Sequence, residues 1–96
     1  MGKNMVILVE DVIAQKIGLD STDMDNEIVM MDINKGKYYG FNSVGSRIWE
    51  LIEKPLSVKE VISILLKEFN VDNKICEDTV LTFLNRLYNE KLITIN

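Results

Sequence analysis

The chain has 96 residues, 47% of them hydrophobic, with 11 Lys and Arg against 15 Asp and Glu, a single cysteine and no histidine. That length fits one domain, residues 1–96, around a single core, and the apolar content argues against a disordered chain. A net charge of −4 repels phosphate backbones, Cys76 has no partner for an internal disulfide, and no apolar run approaches a membrane span, so the expectation is a cytoplasmic protein with neither nucleic acid nor membrane as partner.

Residues 1–5 read as a loose segment. Val6-Ile7-Leu8-Val9 is apolar and β-branched, and suits either a strand or a packed arm. Val12 to Ile17 alternates and is favoured as the first strand of the sheet, with Gly18 breaking it. Asp20 to Asn26 reads as a polar loop. Its aspartates do not make a calcium loop, because the sixth position from Asp23 is Ile28, where the turn needs glycine.

Glu27 to Ile33 is the clearest strand. Val29, Met31 and Ile33 share one face, and Ile28, Met30 and Asp32 the other, which predicts a central strand with a neighbour on each side. Asn34-Lys35-Gly36 supplies a hairpin turn closed by a left-handed Gly36. The returning strand is Lys37 to Phe41, with Tyr39 and Phe41 inward and Tyr38 and Gly40 on the other face.

Three helical patterns follow. Asn42 or Ser43 caps the first, whose stripe is Val44, Ile48, Leu51 and Ile52 with Trp49 beside it, and Lys54-Pro55 ends it. Ser57 and Glu60 form a capping box for the second, with Val61, Ile62, Leu65, Leu66 and Phe69 buried. The third starts at Asp72 or Asn73. Its central stripe is Ile75, Val80, Leu84 and Leu87, widened by Cys76 and Phe83 on one flank and by Leu81 and Tyr88 on the other. Asn89 is the expected left-handed cap, and Leu92 to Ile95 a short returning tail. The order predicts an α+β fold, a hairpin-containing sheet packed on three helices, compatible with a winged helix-turn-helix.

Catalytic, cofactor and metal residues are not expected. Without histidine, Cys76 has no evident base and reads as a small core residue; no glycine-rich phosphate loop and no Cys/His set is present. Tyr39, Phe41 and Trp49 read as core anchors between hairpin and first helix. The chemistry left is that of an exposed sheet edge. If Lys37 to Phe41 is the outer strand, its free amides and carbonyls can template an added strand, and the wide apolar stripe of the third helix leaves a shoulder beside it.

The stretch from Val29-Met30-Met31 through Gly36-Lys37-Tyr38-Tyr39-Gly40-Phe41-Asn42 to Gly45-Ser46-Arg47-Ile48-Trp49 resembles the signature of the PqqD family, the RiPP recognition elements. The likeness continues through Pro55 to Glu60, Phe69 and Phe83-Leu84. The Asp23-Met24-Asp25 segment and Cys76-Glu77 look like those of the standalone proteins of lasso-peptide gene clusters. Gly40-Phe41 departs from the pattern, which has a bulkier residue before an aliphatic one.

The resemblance implies a three-stranded antiparallel sheet on three helices, in a protein that is not an enzyme. It implies binding of the leader segment of a ribosomally made precursor, here a lasso precursor, and its delivery to a leader peptidase or modifying enzyme. Carried onto this chain, the added strand lies beside Lys37, Tyr38, Tyr39, Gly40 and Phe41. The groove wall is Val80, Phe83, Leu84, Leu87 and Tyr88. The unsatisfied edge also allows a homodimer. The alternative reading is a winged-helix DNA-binding or regulatory protein, and the acidic Glu77 and Asp78 on the third helix speak against it.

Overall fold

The structure is a computed structural model that describes residues 7–16, 19–24 and 27–96. The first six residues, and Ile17, Gly18, Asp25 and Asn26, lie outside the described residues, as do the expectations of a loose N-terminal segment and of a break at Gly18. The elements are β1 (Val12–Gln15), β2 (Asp20–Met24), β3 (Glu27–Asp32), β4 (Lys37–Gly40), α1 (Ser43–Leu51), β5 (Leu56–Ser57), α2 (Val58–Glu68), α3 (Asn73–Asn89) and β6 (Ile93–Ile95). The fold is α+β, with three helices and antiparallel strands.

The strands divide into two three-stranded antiparallel sheets, ordered β2-β3-β4 and β5-β1-β6. The expected hairpin is present: Met30 faces Tyr39 and Asp32 faces Lys37. Gly36 closes it at φ +67°, a conformation that costs glycine nothing. Buried Asp32 fixes the turn by accepting from the amides of Asn34 at 3.1 Å and Lys35 at 3.3 Å.

The first strand of this sheet corrects the sequence reading. Asp20–Met24, expected as a loop, pairs along its whole length with β3, from Asp20 opposite Met31 to Met24 opposite Glu27. Val12–Gln15 is a strand as expected, but belongs to the other sheet, between β5 and β6. Backbone pairing needs no particular side chain, so the unfilled edge of β3 recruits a polar segment against its propensity.

The segment from Ile7 to Val9 is a packed arm. Ile7 is buried, and its amide donates to Asn85 Oδ1 at 3.3 Å. The arm also caps α2. The first two helical amides, Val58 and Lys59, donate to the carbonyls of Asp11 and Val9, and Glu60 donates to Ser57 Oγ at 3.2 Å. The Ser57 hydroxyl itself donates to Glu60 Oε1 at 3.2 Å. The amides that a helix N-terminus leaves free are thus met by chain and cap together.

One apolar core joins the layers. Ile13, Met30, Ile48, Ile52, Val58, Val61, Val80, Leu84 and Leu92 are all at 0% exposure. Each such side chain contributes roughly 1.5–3 kcal/mol through burial. Ile75, placed by the sequence reading in the α3 stripe, is 58% exposed, because the helical rotation carries it off the face shared by Cys76, Val80 and Leu84. The expected left-handed cap at Asn89 is also corrected. Helix α3 runs through Asn89, and Lys91 takes φ 62°. Lys91 N–H then donates to Tyr88 O and Leu92 N–H to Leu87 O, the paired bonds of a Schellman cap. Among the described residues no helix is long and apolar enough to cross a membrane.

Candidate functional site

The β4–α1 junction is fixed by side chains acting on backbone. Asn42 is the N-cap of α1, and its Oδ1 accepts from the Gly45 amide at 2.8 Å. Ser46, buried one turn into the helix, bridges the sheet. Its Oγ accepts from Ile28 N–H at 2.7 Å and donates to Phe41 O at 3.1 Å. The hydroxyl thus stands in for the ladder bond that β3 and β4 no longer make directly there, while Phe41 N–H still donates to Ile28 O at 2.9 Å.

That last bond sets the phase of the ladder. In an antiparallel pair, bonded and non-bonded residues alternate. With Phe41 bonded to Ile28, Tyr39 turns its N–H and C=O toward Met30, and Tyr38 and Gly40 turn theirs to the outer side of β4. Among the described residues no strand pairs on that side.

A cleft of about 240 Å³ runs along this open edge. Its strand wall is Tyr38 to Asn42, and its helix wall is Phe83, Arg86 and Leu87 of α3 with the C-cap Glu90. Where the walls meet, Phe83 packs edge-to-face on Phe41, with ring centroids 5.3 Å apart at 82°, and Phe41 packs in turn on Trp49 at 5.7 Å. The Phe83 ring reaches this position because residue 45 is glycine. A Cβ there would sit 3.1 Å from Phe83 Cε1.

The other end of the cleft is held by charge. Glu90 Oε1 accepts from the Tyr39 hydroxyl at 3.0 Å, and lies 3.6 Å from Lys37 Nζ and 3.7 Å from Lys35 Nζ. Lys35 Nζ also donates to the Glu90 carbonyl at the end of α3. The Tyr39 hydrogen bond, followed by the charge of Lys37, holds the Glu90 carboxyl below its usual range. Arg86, on the same wall, has no such partner: among the described residues no carboxylate lies within ion-pair distance of it.

Of the residues expected to form the site, Tyr38, Tyr39, Gly40, Phe41, Phe83 and Leu87 come together around this cleft. Lys37 lies at its end, bonded to Glu90 rather than lining it. Val80 and Leu84 do not line it. Both are fully buried beneath the helix, and Val80 borders a separate apolar hollow with Val44, Leu65 and Cys76, whose thiol burial pushes up. Tyr88 faces away, into a depression beside Lys16 and Thr94. The helical period explains the split: Phe83, Arg86, Leu87 and Glu90 are spaced i, i+3, i+4 and i+7, whereas Val80 and Leu84 point to the core. The sequence reading leaves out Arg86 and Glu90, because it follows only the apolar members of that face, and it reads Asn42 as a helix cap alone.

Residues 27–93 match the family described as Coenzyme PQQ synthesis protein D (PqqD). No curated protein sequence matches the chain. Among solved structures, TbiB1 in complex with the TbiA(beta) leader peptide is 31% identical, with a TM-score of 0.77 over 83% of this chain and 93% of that one. A lasso peptide synthetase B1 complexed with its leader peptide is 17% identical, at TM-score 0.76 over 85% and 96%. The PqqD part of PqqCD from Methylobacterium extorquens, described as a functional and stand-alone RiPP recognition element, is 16% identical, at TM-score 0.78 over 94% and 96%. The last two likenesses bear on fold alone.

Proposed function

The chain belongs to the PqqD family, and we propose that it is a non-catalytic module that binds the leader segment of a ribosomally made precursor peptide by strand addition to β4. The observation that carries this reading is the open edge of β4, with the outward main-chain groups of Tyr38 and Gly40 beside an apolar-floored cleft against α3. An extended peptide gains main-chain hydrogen bonds along the edge, and alternate side chains drop between β4 and α3. Phe83, Leu87 and Phe41 supply the apolar contact, while Val80 and Leu84 support them from the core. The complex of the 31% identical TbiB1 with a leader peptide supports the same assignment, and the lasso class of precursor is the one the sequence resemblance implies.

In this reading the 96 residues act as one cytoplasmic recognition domain. It holds the leader for a leader peptidase or modifying enzyme of the same pathway, which performs the chemistry. Without peptide, the same edge is free to pair with a second copy. Fluorescence anisotropy of labelled synthetic leader peptides, the TbiA(beta) leader among them, tests the assignment. Saturable one-to-one binding is the expected result, and no binding at high micromolar concentration contradicts it.

A further inference from the structure

We infer that the peptide taken by this cleft carries a carboxylate two residues from an apolar side chain, with the carboxylate held by Arg86 and the apolar group seated on Phe83. This rests on the strand-addition reading and adds to it a sequence requirement on the peptide.

The chain as a whole is acidic, with a net charge of −4. The cleft is not. Lys35, Lys37 and Arg86 stand around it against one carboxylate, Glu90. Glu90 lies four residues beyond Arg86 on α3, where an i,i+4 pair could form. It is drawn instead to the hairpin by Tyr39, Lys37 and Lys35. Asp78 borders a shallow groove with Arg86, but its own ion pair is with Lys74 at 3.8 Å. Arg86 therefore lines the cleft with its five guanidinium donors uncommitted to any carboxylate of the described chain, and a planar fork of donors suits a bidentate carboxylate.

The spacing follows from the two walls. Phe83 meets Phe41 at one end of β4, and Glu90 meets Tyr39 further back, so α3 runs antiparallel to the strand. Arg86 stands about 4.5 Å along the helix axis from Phe83. Side chains on one face of an added strand recur about every 6.6 Å. One inward side chain thus lies at Phe83, and the next inward one, two residues away, falls within reach of the long Arg86 side chain.

Selection of random dodecapeptides by display against the full chain tests this without prior choice of ligand. The expected result is enrichment of peptides with Asp or Glu two residues from Leu, Ile, Val or Phe. Changing that acid to its amide should weaken an enriched peptide about three- to tenfold, the range of a partly exposed charge pair. Arg86→Gln should weaken the acidic peptide by a similar factor and leave acid and amide peptides equal, and selection against Arg86→Glu should favour Lys or Arg at the same position. Arg86 is exposed, so circular dichroism of both variants should stay native. Enriched peptides that shift the Tyr38 and Gly40 amides yet bind equally as acid and amide overturn the carboxylate and leave strand addition standing. Absence of any peptide that shifts those amides overturns both.

Discussion

Phe41 and Phe83 meet edge-to-face across the floor of the cleft, with ring centroids 5.3 Å apart, and this contact joins the last residue of the hairpin to the helix that faces it. It makes the strand wall and the helix wall one unit: whatever moves Phe83 changes the width of the cleft. Gly45 sits behind the ring, so the geometry of a peptide groove is set in part by a glycine in α1.

Gly45→Ala tests that coupling. Alanine gains helix propensity, up to about 1 kcal/mol. Its Cβ, however, meets Phe83 Cε1 at 3.1 Å, Phe83 Cζ at 3.2 Å and Asn42 Oδ1 at 3.3 Å. The half-buried ring lines the cleft, so its displacement reshapes that wall. The expected outcome is stability within about 1 kcal/mol of the parent and weaker leader binding, read by chemical denaturation and by peptide anisotropy.

Ser46→Ala removes the hydroxyl between Ile28 N–H and Phe41 O, leaving two buried main-chain groups unmet. The cost should be about 1–3 kcal/mol in urea denaturation. Hydrogen exchange at the Ile28 amide should accelerate ahead of its neighbours on β3.

Lys91→Gly should stabilise the chain. Lysine at φ 62° carries the left-handed penalty that glycine lacks. The gain expected is about 0.5–1 kcal/mol, seen as a higher Tm with an unchanged fold.

The Glu90 clamp predicts a pH dependence of definite sign. Its folded-state pKa is depressed, first by the Tyr39 hydroxyl and then by Lys37. The stabilising contribution is therefore complete above the ordinary Glu value of about 4.3 and is lost as pH falls through the lower folded value. Tyr39→Phe removes the largest cause, so the Glu90 carboxyl should titrate closer to its ordinary value. Carboxyl-detected NMR titration of the two proteins checks it.

Much of this architecture was legible because local chemistry and fold agree. Gly36 at the hairpin, Asn42, Ser57 and Asp72 at the helix starts, and the alternation of Glu27 to Ile33 each carry their own signal. What escaped is non-local. Nothing in Asp20–Met24 favours a strand; it forms because β3 has an edge to fill. Nothing in Val12–Gln15 shows that its partners lie at Leu56–Ser57 and Ile93–Ile95. On α3, apolar spacing gave the width of the stripe but not which flank met the core. Val80 and Leu84 were therefore assigned to the groove, and Arg86 and Glu90 overlooked, although both lie on the face that Phe83 and Leu87 define.

Gly40→Pro separates the strand's backbone from its side chains. The Gly40 amide points to the open side of β4, so proline removes a donor to an added strand without removing a bond to β3, and edge strands tolerate it. Leader affinity should fall about tenfold or more, as at least one main-chain bond is lost and the proline ring blocks close pairing. Circular dichroism should remain native.

If a peptide becomes the next strand of the sheet, amide hydrogen exchange of the free and leader-bound chain reports it. The Tyr38 and Gly40 amides, open in the free protein, should become strongly protected when the leader binds, while the Tyr39 amide, already bonded to Met30, should change little. Leader binding that leaves Tyr38 and Gly40 exchanging as fast as before would contradict strand addition.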